Sequence, residues 1–471
     1  MDKEKQIDVL SNSIMEALGQ ARLESTESSS KCFIAKVPKY LRDLNEKAYA
    51  PQLIIIGPYH REKIVLKVMD EHKLRYLKML LQRRGEQNVK RYLSTMKRLE
   101  QRARACYDGV AYLNSDEFVK MLLLDACFIV ELFRKKAEIG ESTKSNDPIL
   151  NSYWMMKKLR RDLLLVENQL PFFVLKEFYD MTVMSNMPNE QNEFLQMIIN
   201  FFIPLLPNKR LKNNVSMISS QEIKHLLSFI HDHWASPSVH GAPNNEDRKL
   251  WKKSKSALPV HSFIRCASSF VHSLRQIMKR KSDTSEKKDT EWEFIRCATE
   301  LREAGIEFKM IEEYSFDINF KNGIIEIPKL RVEDDTESFF RNLIVYEQFY
   351  PELCDPVIDY MKFMDCLMNS AKDVELLCRC KILHNCLGND EAVASMFNRL
   401  SDSVTLSSCN RYKNTYMDVN EHCDRRKNKW MANLRHNYFN TPWTFISFLA
   451  ALLLLLLTLA QTLFSILPHF K

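Results

Sequence analysis

Residues 117–136 read EFVKMLLLDACFIVELFRKK, which is apolar on almost every side when wound as a helix. A helix that is apolar all round is normally buried among other elements instead of lying on a surface. The stretch therefore predicts a central buried helix and a mainly α architecture around it. Asp125 and Glu131 fall inside this helix, and buried carboxylates need partners.

The sequence on both sides continues the helical pattern. From Met69 to about Leu113, leucines mark one face and basic residues the other. Further on, residues 160–180 (RRDLLLVENQLPFFVLKEFYD) break at the proline of position 171, which suits the first turn of a new helix. Helices of about 357–371, 373–386 and 389–401 are expected near the end. We therefore predict one large helical body over residues 31–435.

Three segments interrupt this body or precede it. Residues 1–30 end in a polar, Ser-rich run and are expected to be a mobile N-terminal lead-in. Residues 235–290, rich in Ser, Pro, Asn and Lys, are the expected flexible linker. A β-hairpin is predicted near 316–328, because Asn322-Gly323 separates two runs of alternating apolar residues.

A proline-rich stretch near the start forbids continuous helix. Pro38, Pro51 and Pro58 divide it, and the apolar run 53–56 between the last two is expected to be buried extended chain. That run ends at Gly57 and Pro58, which together are a strong turn signal.

The C-terminal segment contains a long uncharged run. No charged side chain occurs in residues 443–467, which as a helix would measure about 37 Å against a hydrocarbon core of ~30 Å. We therefore predict a transmembrane helix at 443–467, followed by a short tail at 468–471. Basic residues precede the run, which predicts a tail-anchored, single-pass protein with its N-terminal body in the cytosol. The length favours the plasma membrane over the endoplasmic reticulum.

These features define the expected partners. They are the lipid bilayer, another protein, and a second copy of the chain, which would associate through Gln461 in the transmembrane helix. The net charge of +8 is modest for 471 residues, and no nucleic-acid partner is expected.

Cofactor and metal motifs are missing from the sequence. The chain has nine glycines, and none are spaced as in dinucleotide-binding, phosphate-binding or nucleophile-elbow motifs. Cys378, Cys380, His384 and Cys386 are close in sequence, but on a helix the first two would point apart. We therefore predict no cofactor site and no metal site.

The leading functional hypothesis is a membrane-anchored, non-enzymatic module for protein interaction or recognition. The first alternative is a membrane-tethered enzyme with an active site assembled from Tyr59, His60, His72, Asp162 and Glu167. A deep pocket joining several of these side chains would favour it. The second alternative is binding of nucleic acid or anionic lipid through the basic helix at 73–104.

Nearly the whole chain resembles the plant family called domain of unknown function 247. The matching stretches are VPKYLRDLNEKAYAPQLIIIGPYH (37–60), DEHKLRYLKMLLQR (70–83), FVKMLLLDACFIVELFR (118–134), RRDLLLVENQLPFFVLKEFY (160–179), ELREAGIEFK (300–309), DINFKNGIIEIPKL (317–330), DDTESFFRNLIVYEQ (334–348) and NTPWTFISFLAALLLLLLTLAQTLFSIL (440–467). The resemblance implies a mostly helical plant protein with a C-terminal membrane helix. It implies no established activity and no agreed catalytic residues.

Overall fold

The architecture comes from a computed structural model of the 471-residue chain. It describes residues 32–61, 68–110, 112–139, 146–183, 190–206, 223–234, 293–312, 316–350, 355–402, 404, 410–425 and 442–466. The predicted lead-in at 1–30, the whole of the predicted linker at 235–290 and the tail at 468–471 lie outside these residues.

Helices dominate the described part of the chain, which confirms the mainly helical prediction. They are α1 Lys39–Arg42, α2 Glu46–Tyr49, α3 Val68–Arg84, α4 Lys90–Arg104, α5 Ser115–Ile139, α6 Pro148–Asn151, α7 Tyr153–Asp162, α8 Phe172–Thr182, α9 Glu190–Phe202, a 3-10 turn Ile203–Leu205, α10 Leu226–Trp234, α11 Ala298–Glu303, α12 Thr336–Phe349, α13 Pro356–Leu367, α14 Ala371–Arg379, α15 Asp390–Leu400, α16 Lys413–Asp424 and α17 Pro442–Ile466.

Helix α5 forms the centre of the N-terminal half. It contains the stretch 117–136, and it packs against α3, α4, α8 and α9. Most of its side chains are buried, including both Asp125 and Glu131. The helical region expected from Met69 to Leu113 is divided into α3 and α4, because Gly85 has a φ of 66° and ends α3 in the left-handed region.

Two small sheets lie in the C-terminal half. Their strands are β1 Glu307–Ile311, β2 Asn319–Lys321, β3 Ile324–Pro328, β4 Leu330–Val332 and β5 Leu383–Asn385. In the first sheet β3 is central, parallel to β1 and antiparallel to β2, and in the second β4 and β5 are parallel. Asn322 and Gly323 join β2 to β3 with φ values of 54° and 81°, as a two-residue hairpin turn requires.

The predicted transmembrane helix at 443–467 is wrong. Helix α17 occupies this region, but among the described residues no helix is both long and apolar enough to cross a membrane. The single-pass, tail-anchored topology and the membrane localisation are wrong with it, whereas the association expected through Gln461 stays a prediction.

Candidate functional site

The segment 51–57 is mostly buried although it belongs to no helix or strand. Its backbone amides therefore need partners outside regular secondary structure. Asp162, the last residue of α7, supplies three of them, since its carboxylate accepts the N–H groups of Gln52, Leu53 and Ile54 at 2.9, 2.6 and 3.0 Å. The Asp162 carboxylate thus accepts hydrogen bonds from the backbone amides of this segment, as the carbonyl groups of a neighbouring strand do in a sheet.

Arg161 holds the carbonyl groups just before the same segment. Its guanidinium donates to the carbonyl oxygens of Lys47 at 2.6 Å and Ala50 at 3.0 Å, and to Oδ1 of Asp162 at 2.8 Å. Burial raises the pKa of Asp162, while Arg161 and the three amides oppose that shift by stabilising the carboxylate. The last two residues of α7 therefore bind both the backbone N–H groups and the backbone carbonyl groups of the chain around residues 47–54.

Two side-chain amides continue this pattern. Asn168 Oδ1 accepts the N–H of Ile56 at 2.7 Å, and its Nδ2 donates to the carbonyl of Ile54 at 3.1 Å. Gln169 Oε1 accepts the N–H of Leu227 at the start of α10 at 3.2 Å. These buried amides satisfy backbone groups that would otherwise be costly to bury.

Gly57 ends the segment in a conformation that favours glycine. Its φ is +71°, and a Cβ at this position would lie 2.7 Å from the carbonyl oxygen of Gln169. Its N–H donates to Oδ2 of Asp125 at 2.9 Å. Lys73 Nζ lies 2.6 Å from Oδ1 of Asp125 and also donates to the carbonyl of Ile55 at 2.6 Å. The carboxylate predicted to need a partner therefore has two.

Glu167 fixes the chain just before α1 and the turn after Gly57. Its carboxylate accepts the N–H of Val37 at 2.7 Å and a hydrogen bond from Arg42, and it lies 3.2 Å from His60 Nε2. Burial would raise the pKa of Glu167, but these donors outweigh it and lower the pKa. We call the following set the buried polar clamp: Arg161, Asp162, Glu167, Asn168 and Gln169.

The five candidate catalytic residues are only partly brought together. His60 contacts Glu167, and Tyr59 beside it uses its hydroxyl to donate to the carbonyl of Ile34 at 2.6 Å. Asp162 serves a different part of the same segment. His72 lies elsewhere, half-buried on α3, where burial lowers its pKa.

The contacts of the clamp carboxylates are those of residues that stabilise a fold. Asp162 is fully buried and Glu167 is 3% exposed, and both carboxylates are occupied by backbone amides and arginines. A catalytic acid or base needs access to a substrate proton, which neither carboxylate has here. The sequence placed Asp162 and Glu167 near Arg160 and Arg161 as expected structural ion pairs, and Arg161 pairs with Asp162 at 2.8 Å. Sequence reasoning missed Asn168 and Gln169, although polar residues inside an apolar run (DLLLVENQL, 162–170) were a usable signal of a buried network.

Most of the positive charges on the basic face at 73–104 are paired with acidic side chains. Its ion pairs are Lys73–Asp125, Arg75–Asp147, Arg83–Glu131, Arg91–Glu86, Lys97–Glu100, Arg98–Glu177 and Arg104–Glu100. Arg102 instead lies over the ring of Phe173, 3.8 Å from its centroid. Each pairing lowers the positive potential that phosphates would meet at this surface.

The cysteine-rich stretch gives no metal cage. Cys378 lies on α14 and His384 on β5, and within the described ranges no three His, Cys, Asp or Glu side chains are grouped to hold an ion. Cys378, Cys380 and Cys386 of this stretch form no disulfide.

A solvent-accessible cleft of about 40 Å³ lies between α7, the 3-10 turn and the start of α12. Its polar lining includes Lys157, Arg160, Glu333 and Asp335, and Tyr153 stands at its edge. None of the five candidate catalytic residues lines it. Beside it, Tyr153 is 79% exposed, and its neighbour Trp154 is 62% exposed. We call these two residues the aromatic pair.

The clamp residues, and most of the helices and strands described above, lie within residues 34–457, which match the model of a plant protein family. The chain belongs to the family DUF247, described as "Plant protein of unknown function", whose model matches residues 34–457. It is similar to the UPF0481 protein At3g47200 of Arabidopsis thaliana, with 30% identity over 95% of this chain and 88% of the relative. A second Arabidopsis thaliana relative, UPF0481 protein At3g02645, is 24% identical over 92% of this chain and 90% of its own length. No solved structure matches the chain.

Proposed function

We propose that this protein is a non-enzymatic module that recognises another protein through the aromatic pair. The observation that carries the proposal is the exposure of Tyr153 and Trp154, which are adjacent at the first turn of α7 and exposed by 79% and 62%. Tyrosine and tryptophan are enriched among the residues that contribute most to binding at protein interfaces. Two consecutive aromatic residues that are both largely exposed therefore favour a partner that covers them.

The helix that carries the pair is firmly held at its other end. Arg161 and Asp162 close α7 and belong to the buried polar clamp. The side chain of Ser152 caps the first turn by accepting the N–H of Met155 at 3.4 Å. The clamp therefore supports recognition, because it fixes the orientation of α7, the helix that carries Tyr153 and Trp154.

The enzyme alternative has less support. Its candidate carboxylates are enclosed in the clamp, and the cleft beside α7 is lined by other residues. Binding of nucleic acid or anionic lipid has less support as well, because most basic side chains of α3 and α4 already have acidic or aromatic partners.

The test compares the wild type with the double variant Tyr153→Ser/Trp154→Ser and with a control, Leu74→Ser. Leu74 is 53% exposed on α3, so the control removes exposed apolar surface from a different helix. Each purified protein is immobilised at equal density and exposed to plant extract. A protein retained by the wild type is identified and purified. Its binding to the wild type and to each variant is then measured by titration.

We expect saturable one-to-one binding that weakens at least about tenfold in the double variant, which corresponds to ~1.4 kcal/mol. The control should bind within about twofold of the wild type. Equal binding by the double variant, with its thermal unfolding unchanged, would contradict the proposal.

A further inference from the structure

Arg160 is a buried cation that faces the cleft beside the aromatic pair. It is only 7% exposed, yet it lines the cleft. Its Nε donates to the carbonyl of Phe201 at 2.7 Å, and its guanidinium lies 5.2 Å from the centroid of the Phe201 ring. One nitrogen of the fork is thus committed to the backbone, which leaves the two terminal nitrogens for another acceptor.

The nearby carboxylates are used by other cations. Glu333 pairs with Lys157 at 3.1 Å and with Arg331 at 2.5 Å. Asp335 pairs with Lys158 at 3.2 Å. No acidic side chain that the structure describes forms an ion pair with Arg160, and burial lowers the pKa of Arg160 to about 10. Arg160 is therefore charged at neutral pH and lacks the anion that a buried cation normally has.

We propose that the cleft binds a carboxylate group, held end-on by the two terminal nitrogens of Arg160. The geometry is the paired hydrogen bond that a planar guanidinium makes with a planar carboxylate. This site is separate from the buried polar clamp. Arg160 lines the cleft, whereas the next residue of α7, Arg161, binds carbonyl groups of residues 47–50.

The charge of the cleft lining favours a carboxylate over a phosphate. Three cations and two anions line the cleft, which leaves one unit of positive charge for a ligand to neutralise: Lys157, Arg160, Arg331, Glu333 and Asp335. A phosphate dianion would exceed that charge, and Glu333 and Asp335 in the lining would repel it more strongly than they repel a single negative charge.

The rest of the ligand should be apolar. Pro204, Leu205, Leu206 and Phe339 line the same cleft, and the ring of Tyr153 stands at its edge. The carboxylate can belong to a free acid or to the C-terminus of a partner chain. The second source rests on the proposed function, and the first does not.

The experiment titrates the full-length purified protein with hexanoate, a free acid, and with N-acetylleucine, which represents a chain terminus. Hexanamide and N-acetylleucinamide are the matched neutral ligands, and inorganic phosphate is the anion control. Binding is followed by ligand-observed saturation-transfer NMR. We expect at least one acid to bind at least about tenfold more tightly than its amide, and phosphate to bind more weakly than that acid.

Three variants assign the effect to this site. Arg160→Gln should weaken acid binding at least about tenfold, and Arg160→Lys should weaken it less, because the charge remains but the fork is lost. Glu333→Gln, which keeps Arg160 and removes a competing negative charge, should tighten it. Thermal unfolding of each variant separates loss of the site from loss of the fold.

The proposal is overturned if acids and amides bind equally, or if folded Arg160→Gln binds the acid like the wild type. It is also overturned if Glu333→Gln weakens binding. Preference for N-acetylleucine would identify a chain terminus as the source of the carboxylate, and preference for hexanoate a free acid. Neither assay uses the protein partner or the double variant, so this site can fail while the proposed function stands, and the reverse.

Discussion

The carboxylate of Asp162 lies 2.6 Å from the amide nitrogen of Leu53, a residue 109 positions earlier in the chain. With Gln52 and Ile54 on either side, this contact satisfies three consecutive backbone amides of a segment that has no partner strand. The contact also joins α7, which carries the aromatic pair, to the start of the body. Loss of this carboxylate should therefore affect the whole fold.

Asp162→Asn should lower the free energy of unfolding by roughly 3 kcal/mol. The amide keeps the size of the side chain, but it loses one acceptor and removes the nearer of the two carboxylates of the buried Arg161, which keeps only Asp335 at 3.8 Å. Chemical denaturation measures the effect. The control is Asp180→Asn, an exposed partner of Lys176 on α8, which should change stability by less than about 0.5 kcal/mol. Equal effects of the two substitutions would contradict the role given to Asp162.

Gly57→Ala should be more destabilising than Gly109→Ala. Both glycines have positive φ, +71° and +66°, so the backbone strain of an alanine is similar and amounts to roughly 1 kcal/mol. Only at Gly57 does the new Cβ meet an atom, the carbonyl oxygen of Gln169, at 2.7 Å; at Gly109 the space is open. Denaturation of both variants isolates the clash, and similar losses in the two would rule it out.

His231→Gln should remove a pH-dependent part of the stability. Burial alone would lower the pKa of His231, but hydrogen bonds to Asp232 at 3.0 Å and Glu347 at 2.7 Å raise it to about 10. A raised pKa of a cation stabilises the fold fully below the unfolded value of ~6.5, and this contribution is lost as the pH rises toward 10.

The free energy of unfolding of wild type and His231→Gln should therefore differ most below about pH 6.5, on the order of a few kcal/mol, and converge near pH 10. Urea denaturation at several pH values measures this difference. A difference that stays constant with pH would show that the histidine is not held as a cation.

Asp359 should also make the protein less stable as the pH rises, but in a lower pH range than His231. Burial raises its pKa to about 7, against the N–H of Arg411, which donates to it at 2.7 Å. Between pH ~4 and 7 the folded chain then binds more protons at this site than the unfolded chain, so stability falls as the pH rises. Asp359→Asn should flatten the stability curve between pH 4 and 7. An unchanged slope would contradict the raised pKa.

Local signals predicted much of the fold. The all-round apolar character of residues 117–136 led to the buried helix α5, and the mainly helical class followed from patterns of this kind. At residues 373–386 the expected helix was too long. Lys381 adopts a φ of 61°, α14 stops at Arg379, and β5 follows.

The partners of the clamp could not be predicted from the sequence. Asn168 binds Ile56 across 112 positions, and Glu167 binds Val37 across 130. No periodicity or motif encodes such contacts, because they depend on how α7 and the segment 51–57 meet in three dimensions. The same reason explains why Asp162 and Glu167 were plausible catalytic residues in sequence and are structural ones here. The exposure of the aromatic pair depends likewise on packing, which leaves Met156 and Leu159 of α7 buried and Tyr153 and Trp154 in water.

The most direct test of the central claim places a photo-reactive amino acid at position 153, at the edge of the cleft, and at position 74 as the control, in protein expressed in plant cells. If the aromatic pair binds a partner, irradiation at position 153 should give a discrete covalent adduct of defined mass that position 74 does not give. The adduct should fade when Trp154→Ser is added. Absence of an adduct at position 153, or the same adduct from both positions, would contradict the account.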